Sequence, residues 1–193
     1  MYQDIIQLEK FYQSELGKAV QDRIYSKLKK YIYLHDGEKL GCFGFGEPYV
    51  SLLPKKKVSI FNFFSQRIGI KKNIINERLY NVLLDEEQLP IEDLFLNHII
   101  CIHYLEHSEN SKKTLRELWR VLAPEGKIYI ILPNKKSSWS FSSKSPFSSG
   151  FGFSKNQIVR ILEDNFFEVQ SADRLVYFPS WNSKLLLNNR FFL

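Results

Sequence analysis

The segment from Ser108 to Asn134, SENSKKTLRELWRVLAPEGKIYIILPN, constrains the fold of this chain more than any other. Leu115, Leu118, Trp119 and Leu122 recur at i, i+3, i+4 and i+7, which predicts one apolar stripe along a helix. Ser108, Asn110 and Ser111 each carry an oxygen able to cap its first amides. Pro124 and Gly126 predict its end, because proline breaks the hydrogen-bond ladder and glycine turns the chain. Ile128-Tyr129-Ile130-Ile131-Leu132 follows, with the length and β-branched content of a strand buried on both faces, as in a parallel sheet. A helix of about twelve residues spans roughly 18 Å and a six-residue strand roughly 20 Å, so the pair forms one α/β layer.

The rest of the chain extends that layer. Leu16, Val20, Ile24, Leu28 and Tyr31 or Ile32 mark one face of an N-terminal helix over about 14–32, and Asp36-Gly37 turns the chain after it. Phe11 and Tyr12, ahead of that helix, are placed to fold over a sheet. A short strand is expected in the stretch from Lys39, ending in Gly44-Phe45-Gly46, and further strands at Val58–Phe63, Tyr80–Leu84 and His98–His103. Pro54-Lys-Lys-Lys57 is a basic turn, and Lys71, Lys72 and Arg78 add positive charge. After Asn134 comes a loop over about 135–153, rich in serine and studded with Trp139, Phe141, Phe147 and Phe151, a composition suited to a substrate lid or to filler. Ser154 with Gln157 is a capping box for a helix that runs to about Asp164 and buries Ile158, Val159, Ile161 and Leu162. Phe166–Gln170 and Leu175–Phe178 supply a last strand or two. The whole reads as one domain, 1–193, with a doubly wound, mostly parallel open α/β sheet.

Within this frame CIHYLEH, RVLAPEGKIYIILPN and the helix between them resemble the second half of a class I S-adenosylmethionine-dependent methyltransferase of the broad type 11 group. The resemblance implies a Rossmann-like transferase fold and S-adenosylmethionine as cofactor. Gly44-Phe45-Gly46 is similar to the glycine loop around the methionine part, although the family's acid two positions earlier is Cys42 and its third glycine falls on Pro48. The end of the second strand, which normally offers a carboxylate to the ribose, matches Asn62, an amide that lacks charge-assisted strength. Asp85, followed by Glu86 and then Leu89-Pro90, matches the acid that accepts from the adenine amino group. His103, at the tip of the fourth strand, would face the cofactor or the acceptor. No catalytic base is implied.

The same residues admit other readings. His103-x-x-Glu106-His107 has the spacing of an inverted zinc-peptidase motif, but that chemistry needs both imidazoles on one helical face. A strand tip followed by a helix start would keep them apart, so no metal site is expected. The net charge of +6 invites nucleic acid as a partner, yet no recognition helix or aromatic RNA platform is visible. Cys42 and Cys101 read as buried thiols of a reducing cytoplasm. The N-terminus is too charged for a signal peptide, and no apolar run approaches the roughly 20 residues needed to span a bilayer. The methyl acceptor stays open among small molecules, proteins and nucleic acids. The substitutions at Cys42 and Asn62 sustain an alternative: a methyltransferase-like chain that has lost catalysis and serves as a binding partner. Finally, the short apolar end, Leu185-Leu186-Leu187 and Phe191-Phe192-Leu193, predicts an incomplete C-terminal hairpin, with the sixth strand against the fifth or a partner protein on that sheet edge.

Overall fold

The computed structural model describes residues 5–50, 52–53, 57–65, 79–85, 88–137, 147 and 150–175. Five strands, β1 (Lys39–Gly44), β2 (Ser59–Ser65), β3 (Leu79–Leu84), β4 (Leu96–Ile102) and β5 (Leu122–Ile131), form one sheet. Their order is β3-β2-β1-β4-β5, and each neighbouring pair is parallel. Winding therefore runs outward from β1 to β3 and then returns to lay β4 on the other side of β1. This is the doubly wound sheet expected from the sequence, with its switch point between β1 and β4.

Helices α1 (Ile5–Gln13), α2 (Glu15–Leu28), the short α3 (Glu47–Val50), α4 (Ser111–Val121) and α5 (Lys155–Glu163) flank it. Strand alternation divides the apolar residues between two cores. Leu40, Cys42, Ile100 and Ile102 pack with Leu8 of α1 and with Val20, Ile24 and Leu28 of α2. On the opposite face Phe43, Ile99 and Cys101 pack with Leu115, Leu118 and Val121 of α4. β1 and β4 are thus buried on both sides, as parallel strands require.

The N-terminal helix of the sequence reading is two helices. Ser14 caps α2 by accepting from the Gly17 amide, and α1 precedes it with a phase that the pattern of α2 does not announce. A side chain on Gly17 would stand 1.9 Å from the carbonyl oxygen of Phe11, so glycine is what lets the end of α1 fold onto the start of α2.

Several expectations for the opening segment need correction. Asn110 caps α4, accepting from Lys113, and the helix stops at Val121. Its buried face is Thr114, Leu115, Leu118 and Val121; Trp119 is 45% exposed and leans on the ring of Phe166. Pro124 and Gly126 do not separate helix from strand. They sit in a bulge inside β5, where pairing jumps from Leu96–Leu122 to His98–Lys127 and Glu125 takes a left-handed φ of 60°. Proline cannot donate to the ladder, so the chain loops out and rejoins at Lys127. β5 is half-buried rather than buried on both faces, because it is the edge among the described strands.

At the C-terminal side, the Ser154–Gln157 capping box is present and opens α5. Ile158, Ile161 and Leu162 lean on the second core without full burial, and Val159 is also only partly covered. Phe166–Gln170 pairs with no described strand; it turns at Phe166, φ 72°, and buries Phe167. The expected strand end after Leu175 and the apolar stretch to Leu193 lie outside the described residues, as do Pro54–Lys56, Lys71, Lys72, Arg78, Trp139 and Phe141.

The corrected stripe has a measurable consequence. Leu118, with no exposed surface, should cost about 2–5 kcal/mol on truncation to alanine. Trp119→Ala should cost about 1 kcal/mol or less despite the larger side chain, since the residue is already 45% exposed. Urea denaturation of both variants, read against the parent, checks the order.

Candidate functional site

The carboxyl ends of parallel strands form the crest where α/β sheets bind ligands. Register places the expected residues along it. Gly44 lies beside Ile102, which in turn pairs with Ile131, and Ser65 pairs with Leu84 just before Asp85. Phe45, His103 and Asp85 therefore leave their strands at nearly one level. Asn62 does not. It pairs with Cys42 and Asn81 inside β2, three residues short of the strand's end at Ser65, and is 3% exposed. Its burial within the sheet, and not at the crest, corrects the expected position. Glu86 lies outside the described residues.

Gly44 and His103 both turn left-handed, at φ 80° and 50°. The two reversals are coupled. A Cβ on Gly44 would lie 2.2 Å from the carbonyl oxygen of Ile102 and 2.9 Å from the Cβ of Tyr104. Phe45 then donates its amide to Ile102, and His103 donates its own to Ile131. The missing side chain at Gly44 thus makes room for the neighbouring strand rather than for a ligand. Gly46, one turn on, is closed against Cys42 in the same way. Substitution at Gly44 would damage the sheet whatever binds above it, which makes it a poor probe of binding.

Above the two reversals lies a buried polar chain that the sequence reading did not assemble. Tyr49 donates to the hydroxyl of Tyr12 at 3.0 Å. The Tyr12 hydroxyl bonds His103 Nε2 at 2.9 Å, and His103 Nδ1 meets Glu106 Oε1 at 3.0 Å. One direction satisfies every step: Tyr49 to Tyr12, Tyr12 to Nε2, and Nδ1–H to the carboxyl group. Burial pushes both phenols well above their ordinary range, so they stay protonated and able to donate. The second carboxyl oxygen, Glu106 Oε2, is buried without a hydrogen-bond partner, as is Nε2 of His107.

Rings close the site. Tyr12 stacks on Phe45 at 5.2 Å and 24°. Phe147 lies 4.8 Å from the imidazole of His103 and packs edge-on against Phe11 at 5.0 Å. The loop after β5 therefore does come back to the crest, at Phe147, whereas Phe151 is 72% exposed. His103 sits at the tip of β4, while Glu106 and His107 belong to a 3-10 turn over Leu105–His107 that lies between the strand and α4. The described residues contain no group of three or more His, Cys, Asp or Glu side chains able to hold a metal ion.

At the β3 end of the crest, the chain that follows the strand is held from below. Arg120 donates to Glu117, to Asp93 and to the carbonyl oxygens of Leu89 and Ile91, and Glu117 accepts from the Leu89 amide. The guanidinium holds the Glu117 carboxyl below its usual range. Asp85 stands exposed at the start of this braced loop. No helix among the described residues is long and apolar enough to cross a membrane.

Comparison with known proteins agrees with this architecture. Residues 53–130 match a family described as methyltransferase domain. A S-adenosylmethionine-dependent methyltransferase from Aquifex aeolicus superposes with TM-score 0.65 at 19% identity, covering 87% of this chain and 90% of that one. One from Thermotoga maritima gives 0.64 at 14% identity, covering 83% and 76%. A methyltransferase structure from Haloferax volcanii, solved in complex with the Trm112 methyltransferase activator, gives 0.63 at 18% identity, covering 82% and 75%. At these identities the solved structures establish the fold. No curated protein matches the sequence.

The histidines near the sheet ends give the fold a pH dependence. Burial lowers the pKa of His107 and of His98 from the ordinary 6.5, against the opposing pull of Glu106 on the first and Glu38 on the second. The unfolded chain takes up protons as pH falls through about 6.5 while the folded chain resists, so stability present above that pH is lost below it. Urea midpoints between pH 7.5 and about 5 should fall, and His107→Gln should flatten the slope.

Proposed function

We propose that this chain is a class I S-adenosylmethionine-dependent methyltransferase that binds this cofactor along the crest and methylates an acceptor; the family match over residues 53–130 and the shared fold support the reading. The observation that carries the reading is the pair of left-handed exits at Gly44 and His103, side by side at the switch point, with Asp85 on the same crest. The bound cofactor would supply a sulfonium methyl open to in-line displacement. The chain's own part is to align and to exclude water.

Asp85 would accept from the adenine amino group, with the loop to Asp93 held ready beside it. Phe45 and Gly46 would run along the amino-acid end, and His103 Nε2 would offer an acceptor there. Asn62, buried below the crest, is left out of these contacts. The fit is uneven. The adenosine end meets an exposed Asp85, but the rings of Tyr12 and Phe147 occupy the space over Phe45 and His103, so the amino-acid end does not fit this arrangement of α1. The two buried free thiols suit a reducing cytoplasm.

A second reading, a binding protein without catalysis, is favoured by Cys42 in place of the expected acid and by the same closure. The edge of β5 is its natural contact surface. A groove of about 1160 Å³ runs along that strand between α2, α5 and residues 166–175, next to the exposed side chains of Leu94, Trp119 and Phe166. That a similar fold binds an activator protein supports a protein partner here.

Calorimetry with S-adenosylhomocysteine separates the readings: the parent protein should bind, and a parent that does not would favour the second. Asp85→Ala should lose about 1.5–3 kcal/mol, roughly ten- to a hundredfold in affinity, for a charged hydrogen bond. Unchanged affinity in a folded variant would remove Asp85 from the site.

A further inference from the structure

We propose that Tyr12 is an internal occupant of the subsite for the amino-acid end of the cofactor, so that α1 must move outward before that end can bind. The inference rests on the reading above and deepens it. Its basis is that one side chain engages both reversals of the switch point at once. The ring lies flat on Phe45, in the middle of the glycine turn, and the hydroxyl bonds His103, at the tip of β4. Tyr12 is 5% exposed, and Phe147 packs on the same imidazole at 4.8 Å.

The chemistry of the subsite describes what replaces it. His103 presents Nε2 as an acceptor, because its Nδ1–H is directed to Glu106. Behind the imidazole, Glu106 keeps a second oxygen that no protein donor reaches. Such a subsite wants a donor, and a positively charged one best, since a charged donor bonds more strongly and offsets the buried carboxyl group. The ammonium of an amino-acid group has that character; a neutral phenol is a weaker substitute. With Cys42 supplying no charge at the glycine turn, the His103–Glu106 pair becomes the acidic element of this end of the site.

The attachment of α1 suits an element that leaves. Only Leu8 and Tyr12 of its nine residues are buried. It joins α2 through Ser14, which is extended rather than helical, φ −70° and ψ 159°, and so forms a joint at the point of closest approach to Gly17. Elements with few buried contacts open at low cost compared with the core. By contrast the other partners of the chain, Tyr49 on α3 and His103 just past the end of β4, stay with the sheet.

Two ligands that differ only at the amino-acid end test this directly. S-adenosylhomocysteine carries that end; 5′-methylthioadenosine lacks it. On the full chain, Tyr12→Ala should tighten S-adenosylhomocysteine about tenfold or more, as a competing closed state is removed, and leave methylthioadenosine within about twofold. Tyr12→Phe, which keeps the ring and loses the hydroxyl, should fall between. Amide exchange in residues 5–13 should quicken when the parent protein is saturated with S-adenosylhomocysteine. If Tyr12→Ala weakens or does not change that affinity, or if α1 becomes more protected on binding, Tyr12 is a wall of the site and the proposal fails. If Tyr12→Ala does not fold, Tyr12→Phe and the exchange experiment decide. Absence of binding of either ligand to every form removes the cofactor reading itself, and this inference with it.

Discussion

The contact between Gly44 and the carbonyl oxygen of Ile102 governs how the crest is built. Parallel strands in mid-sheet diverge into separate crossovers, yet here β1 and β4 reverse side by side, each with a residue in left-handed conformation. A side chain at Gly44 would collide with backbone, which cannot give way as a flexible side chain would. His103, at the matching position of β4, carries a side chain in a conformation that costs energy for any residue but glycine. It is held there by the hydrogen bond its backbone amide donates to the carbonyl oxygen of Ile131 and by ring contacts and hydrogen bonds on both imidazole nitrogens. The strain is thus tied to the same network that gives the imidazole a fixed tautomer and direction.

That network also explains why polar atoms are tolerated in so apolar a place. Tyr12, Tyr49, His103 and Glu106 are all nearly sealed from water. An unpaired donor or acceptor there would cost about 1–3 kcal/mol, so the chain of bonds is needed for the helix to dock at all. Its polarity runs one way, from phenol to phenol to imidazole to Oε1 of the carboxyl group, whose other oxygen, Oε2, lacks a hydrogen-bond partner. An apolar plug would have left the imidazole unsatisfied; a tyrosine fills the volume and meets the acceptor together.

Much of the frame was legible from local pattern. The apolar periodicity of α2, the capping box at Ser154 and the runs that became β1 and β4 each concern neighbours along the chain, where spacing and propensity act directly. The crest positions of Asp85, Phe45 and His103 follow once those strands are laid in parallel order. What failed did so for reasons that spacing does not carry. Trp119 fits the apolar stripe as well as Val121 does, and only the direction from which β4 and β5 approach decides which faces the core. Pro124 and Gly126 signal a break without saying whether a helix or a strand is broken. Asn62 matches the family's strand-end carboxylate only if β2 stops there, and the strand runs three residues further, to Ser65. The polar chain over the crest joins residues 91 positions apart, Tyr12 and His103, and neither residue alone hints at the other.

Arg120 has a quieter consequence. One guanidinium gathers two carboxylates and two loop carbonyls, and so fastens the chain from Leu89 to Asp93 onto α4. A loop left free would lose its conformational freedom on meeting a ligand, at the expense of affinity. This one loses it during folding instead. The two ends of the crest therefore differ in kind: beside Asp85 the protein is preorganised, while over His103 it is gated. An elongated molecule reaching both would meet a rigid half and an adaptable half, and its grip would be set early at one end and timed at the other.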